Sequence, residues 1–80
     1  MKLPRSLSAQ ELIKVLSKYR YEVDRQKGSH IRLTTSENGE HYITIPNHDP
    51  IKIGTLSSIL GEVANHLAKT KEEVIGELFG

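Results

Sequence analysis

Arg25, Lys27, His30 and Arg32 fall within eight positions of one another around the pair Gly28-Ser29. An imidazole, with an ordinary pKa of about 6.5, takes or gives a proton near neutral pH. The cationic side chains beside it supply fixed positive charge, and the N–H groups of a tight Gly-Ser turn supply further donors. Together such groups are suited to moving a proton next to a bound phosphate. The plain alternative is a turn histidine that simply faces water.

The elements around these residues must hold them in place. The run Arg25-Gln26-Lys27-Gly28-Ser29-His30-Ile31-Arg32-Leu33 alternates on both sides of Gly28 and reads as a hairpin. Gly28 is free to adopt positive φ there, and Ser29 is able to bond the turn backbone. Beyond the turn, Ile31 and Leu33 form one face of a strand running from about His30 to Thr35, so His30 and Arg32 point to the other face. Before it, Tyr21, Val23 and Arg25 alternate with Glu22, Asp24 and Gln26 in a first strand. Ser36-Glu37-Asn38-Gly39 is a turn signal, a third strand follows from His41 to Ile45, and Pro46 stops it because proline cannot donate to a ladder. Pro50 keeps the next segment irregular.

Helices flank this sheet. Ser8 and Glu11 form a capping box that starts the first helix at Ala9. Leu12, Ile13, Leu16 and Tyr19 form its buried stripe, and Lys14, Lys18 and Arg20 its wet side. A second helix is expected to open near Gly54-Thr55 with Thr55 as cap, burying Leu56, Ile59, Leu60, Val63 and Leu67. Thr70 and Glu73 form a second capping box, and Val74, Ile75, Leu78 and Phe79 follow at helical spacing in a short terminal helix. Each main helix has one apolar stripe and the sheet one clearly apolar face. Both helices therefore pack on that face and leave the other to solvent. The expected class is α+β, a three-stranded antiparallel sheet in the α-β-β-β-α order of the double-stranded RNA-binding fold, with an extra C-terminal helix.

Composition narrows the function classes. Eighty residues suit one domain, spanning 1–80, with a modest core and no room for a separate cofactor domain. The absence of cysteine excludes disulfides and thiolate metal sites. No apolar run approaches the roughly 20 residues of a membrane span, and no signal-peptide stretch opens the chain, so the cytoplasm is the expected location. The net charge is only +1, but residues 1–60 carry nine Lys/Arg against six Asp/Glu, whereas residues 61–80 carry two against four. The basic excess sits with the hairpin, where a nucleic-acid surface needs it.

Four segments in register carry a family resemblance. They are the helix after Ser8, Asp24-Arg25-Gln26-Lys27-Gly28-Ser29-His30, Ile43-Thr44-Ile45-Pro46-Asn47-His48, and Ile53-Gly54-Thr55-Leu56-Ser57-Ser58-Ile59-Leu60. In these the chain resembles the HicA-type, or YcfA-like, toxins of toxin–antitoxin pairs over about residues 8–60. The resemblance implies an endoribonuclease that cuts mRNA without a metal or small-molecule cofactor and is blocked by a HicB-type antitoxin. It carries the family's catalytic histidine onto His30.

Cutting RNA without a metal requires the 2′-hydroxyl to lose a proton as its oxygen attacks phosphorus, and the leaving 5′-oxygen to gain one. His30 serves one transfer; water, Lys27 or His48 serves the other, and the sequence does not choose. Arg25, Lys27, Arg32, His48 and the amides of Gly28 and Ser29 are the candidate RNA-binding groups. His41 shares its strand parity with Ile43 and Ile45 and is expected at the rim of the core, while His66 is read as structural or exposed. A non-catalytic RNA-binding module and a protein-docking domain of the same fold are the alternatives.

Overall fold

The computed structural model describes residues 3–80. Its elements are α1 (Ala9–Leu16), a 3-10 turn (Ser17–Tyr19), β1 (Glu22–Lys27), β2 (His30–Thr35), β3 (His41–Pro46), α2 (Ile53–His66) and α3 (Lys71–Phe79). The strands form one antiparallel sheet in the order β1-β2-β3. This is the expected α+β arrangement, a helix, three antiparallel strands and two further helices.

Local chemistry accounts for most boundaries. At α1 the Ser8 hydroxyl accepts from the Glu11 N–H at 3.1 Å while the Glu11 carboxylate accepts from the Ser8 N–H at 2.9 Å. Thr70 and Glu73 repeat the arrangement at α3. Each pair satisfies two of the N–H groups that a helix start leaves without partners. The start of α2 departs from expectation. The helix begins at Ile53, its cap is Lys52 with no side-chain bond, and Thr55 lies inside the first turn. The chain is anchored there by burial instead: Ile51 is 1% exposed, and its N–H donates to the Leu7 carbonyl at 2.8 Å.

One continuous core joins the layers. It contains Leu12, Leu16 and Tyr19 from the first helical segment, Ile31, Leu33, Ile43 and Ile45 from the sheet, and Leu56, Leu60, Val63 and Val74 from α2 and α3. Fully burying such a side chain contributes about 1.5–3 kcal/mol, so this cluster fixes which sheet face is covered. Ile13 and Leu67 are half-buried at its margin. The molecule is a two-layer slab with a shortest extent of 17 Å. The second sheet face is left open, which presents the alternate residues of β2 and β3 to solvent.

The first strand corrects the simple alternation. Val23 pairs with Leu33, but Arg25 pairs with Arg32, so the register slips by one residue at Asp24. An inserted residue reverses the face of everything beyond it. Without this bulge Asp24 would sit opposite Leu33 on the core face. With it, Tyr21 and Val23 keep to the core side while Asp24, Arg25 and Lys27 share the open face. Every residue of β1 is nonetheless exposed, because it is an edge strand; Val23 retains 51% exposure.

Candidate nucleic-acid interface

The β1–β2 hairpin turns on two residues. Gly28 has a φ of +60° and Ser29 a negative one, the II′ pattern that matches the twist of paired strands. A Cβ on Gly28 would meet nothing within 4 Å, so glycine is required there by backbone conformation and not by crowding. The side-chain bond to the turn comes from Gln26, whose Nε2 donates to the Gly28 carbonyl at 3.4 Å, and not from the Ser29 hydroxyl. Among the described residues the Gly28 and Ser29 N–H groups have no backbone acceptor. They stand ready for an external oxygen.

Register gathers the expected residues on one surface. Lys27 is opposite His30, Arg25 is opposite Arg32, and both pairs lie on the open face. All but the half-buried Arg32 are exposed. Like charges placed directly across a pair of strands disfavour folding, so Arg25 facing Arg32 has no structural return of its own. Arg32 is itself engaged. Its Nε donates to the Asp24 carboxylate at 2.8 Å, its Nη2 reaches the same oxygen, and its guanidinium lies 4.8 Å from the centroid of the Tyr42 ring. Of the cations foreseen as phosphate ligands, Arg25 and Lys27 form no ion pair among the described residues, whereas Arg32 is paired.

His48 arrives at the same end of the sheet. His30 pairs with Pro46, the last residue of β3. The next residue, Asn47, donates its N–H to the Ser29 carbonyl at 2.6 Å, and the His48 carbonyl accepts from Ala9 at 3.1 Å. The loop is thereby tied both to the hairpin turn and to the start of α1. His48 is exposed there.

The other two histidines serve the opposite end. His66 Nε2 lies 2.8 Å from the Glu37 carbonyl and 2.9 Å from that of Gly39; both are acceptors, so this nitrogen carries the proton and donates. The Asn38 side chain completes the lock by donating to the His66 carbonyl at 2.9 Å. The His41 ring stacks on that of His66, with centroids 4.3 Å apart, and its Nδ1 bonds the Tyr21 hydroxyl at 2.9 Å. Burial pushes the Tyr21 phenol up to about 12, with the charges of Glu62 and Glu37 adding to it. Both histidines therefore hold the fold, His41 as the expected rim residue.

This arrangement predicts a pH response. Burial, followed by the neighbouring His66, holds the His41 imidazole below its ordinary value, against an opposing pull from Glu62. The unfolded chain then binds this proton more readily than the folded one. Stability contributed by neutral His41 is complete above about pH 6.5 and is lost as pH falls through that value toward the folded pKa. Thermal unfolding at pH 7.5 and 5.0 checks this. His41→Gln should unfold at a temperature less dependent on pH over this interval than the native chain, and an unaltered dependence would refute the assignment.

Tyr42 escaped notice in the sequence. It alternates with His41 and Ile43, so parity alone places it on the open face, where it is 47% exposed. A groove of about 560 Å³ lies elsewhere, between the free edge of β3 and α2, lined by Thr44, Lys52, Thr55, Ser58 and Glu62 among others. None of the candidate residues enters it. An extended polyanion is held by a charged surface and needs no enclosed cavity, so the sheet face remains the candidate site.

Comparison with known proteins places the chain in a family. The chain matches the model of a family described as HicA toxin of bacterial toxin-antitoxin, over residues 9–64. That span holds α1, the sheet and most of α2, and with them every candidate site residue. No curated protein and no solved structure matches the chain.

Proposed function

The chain belongs to the HicA toxin family, the toxin side of a toxin–antitoxin pair, and from that premise we propose that it is a metal-independent endoribonuclease acting on mRNA through His30. The observation that carries this reading is the placement of His30: exposed, on the open face, directly opposite Lys27 and beside a turn with free N–H donors. A strand of RNA laid on this face brings a phosphate to the hairpin. The Gly28 and Ser29 amides, Lys27 and Arg25 then meet the charge that builds on the phosphoryl oxygens in the transition state.

The chemistry balances without a cofactor. The 2′-oxygen forms a bond to phosphorus as its proton departs to a base, and the bond from phosphorus to the 5′-oxygen breaks as that oxygen gains a proton. His30 carries out one of these transfers. Lys27, His48 or water carries out the other, and the first two are held at the same end of the sheet. The products are a 2′,3′-cyclic phosphate and a free 5′-hydroxyl. A HicB-type protein is the expected antitoxin, and the cytoplasm, where mRNA is translated, the expected site of action.

Two substitutions in the reaction test this. The purified chain should cut RNA undiminished in EDTA, because His41 and His66 are committed to the fold and no group of three His, Asp or Glu residues fit to hold a metal occurs among the described residues. Replacing the 2′-hydroxyl at the cleaved nucleotide by hydrogen should block the cut. Loss of activity in chelator with recovery on one divalent ion, or cleavage of the deoxy substrate, would overturn the mechanism. RNA that is bound in a salt-sensitive way but never cut would instead identify a binding module.

A further inference from the structure

Of the three tyrosines, Tyr19 and Tyr21 are buried and hydrogen-bonded, while Tyr42 stands on the open sheet face with 47% exposure. Its ring carries the Arg32 guanidinium at 4.8 Å, and Asp24 holds that guanidinium in place. An aromatic ring and a planar cation, in contact before any ligand arrives, share this face with Arg25, Lys27 and His30. Bases that are free of a duplex stack on aromatic rings and on guanidinium planes, and the energy of that contact depends little on which base it is.

We propose that Tyr42, with Arg32 beside it, is a base-stacking subsite that makes single-stranded RNA the substrate of this surface. The inference rests on the ribonuclease reading and specifies its substrate. Both faces of a base inside a duplex are covered by neighbouring bases, so only an unpaired nucleotide can lie on Tyr42. Tyr42 is opposite Thr34, and His30 is four residues away along β2, a separation of about 13 Å at the rise of a strand. The stacked base thus lies a short stretch of chain from the phosphate that His30 serves. Tyr42 positions substrate and takes no part in proton transfer. Because Asp24 already holds Arg32, binding loses little of its mobility, a gain by preorganisation.

The test measures affinity for a single-stranded oligoribonucleotide, in chains carrying His30→Ala so that the RNA stays intact. Tyr42→Ala should weaken binding about 10- to 100-fold, the range for one stacked base, and Tyr42→Phe should restore most of it. An abasic nucleotide scanned along the strand should weaken the tyrosine chain at one position and leave Tyr42→Ala unaffected there, the coupling expected of a direct contact. A fully paired RNA duplex of two strands should bind both equally. In chains that retain His30, Tyr42→Ala should raise KM and leave kcat near the native value. Equal affinity of Tyr42→Ala and native chains, equal losses on single-stranded and paired RNA, or a loss confined to the antitoxin would overturn the proposal. Native cleavage with an unaffected Tyr42→Ala removes the stacking subsite alone, whereas a native chain that binds no RNA removes the ribonuclease reading with it.

Discussion

His30→Ala should abolish RNA cleavage and growth arrest while leaving the protein folded. Proton transfer by a positioned side chain is worth roughly 10²–10⁴-fold, and the alanine chain loses at least that much. Its cost to stability should stay within about 0.5 kcal/mol, since the imidazole is exposed and lies on the face away from the core. Circular dichroism and the unfolding temperature check the fold, and regulated expression with transcript analysis checks the activity. His41→Gln is the contrasting control, for it disturbs the lock at the far end of the sheet and leaves the hairpin alone. A folded His30→Ala chain that cuts RNA at the native rate would remove His30 from the chemistry.

Reversing the charge of Arg25 and Lys27 should markedly weaken association with the antitoxin. On the proposed reading, cations that receive phosphate also complement carboxylates, and covering His30 is the most direct way to silence an enzyme whose site is an open sheet face. The antitoxin is therefore expected over the Gly28–Arg32 turn with acidic side chains toward these two cations. Arg32 is the weaker anchor because Asp24 already occupies it. Close charge pairs across interfaces couple by about 1.5–7 kcal/mol, so Arg25→Glu with Lys27→Glu should lower affinity by more than about tenfold. The binding that remains should respond less to salt. Affinity and salt dependence identical to those of the native pair would exclude direct occlusion and favour docking on the half-buried Leu78 and Phe79 of α3.

Much of the architecture was legible because local rules agreed with the tertiary ones. The capping boxes at Ser8 and Thr70 are set by residues three apart, and the starts of α1 and α3 followed from them. Alternation of Ile31 and Leu33 against His30 and Arg32 gave both the limits of β2 and the two faces of the sheet. The cap of α2 was read three residues late, at Thr55 and not Lys52, because the chain is anchored there by the buried Ile51 and its hydrogen bond to Leu7, a contact that no neighbouring residue reports.

The site was partly legible in the same sense. The chain alone determined that a positive-φ glycine turn delivers an imidazole to the polar face of a strand, with cations nearby, because turn chemistry and strand parity are local properties. It could not determine which cations share that face. Tyr21, Val23 and Arg25 have the same parity, yet Tyr21 is buried in the core and Arg25 lies on the open face. The bulge at Asp24 resolves the conflict, and it arises only when β1 is paired against β2. Pairing likewise sets Arg32 between Asp24 and Tyr42 and carries His48 to the hairpin through Asn47. These contacts join residues 8 to 18 positions apart, and packing across the sheet decides them, because local periodicity carries no record of which strands meet.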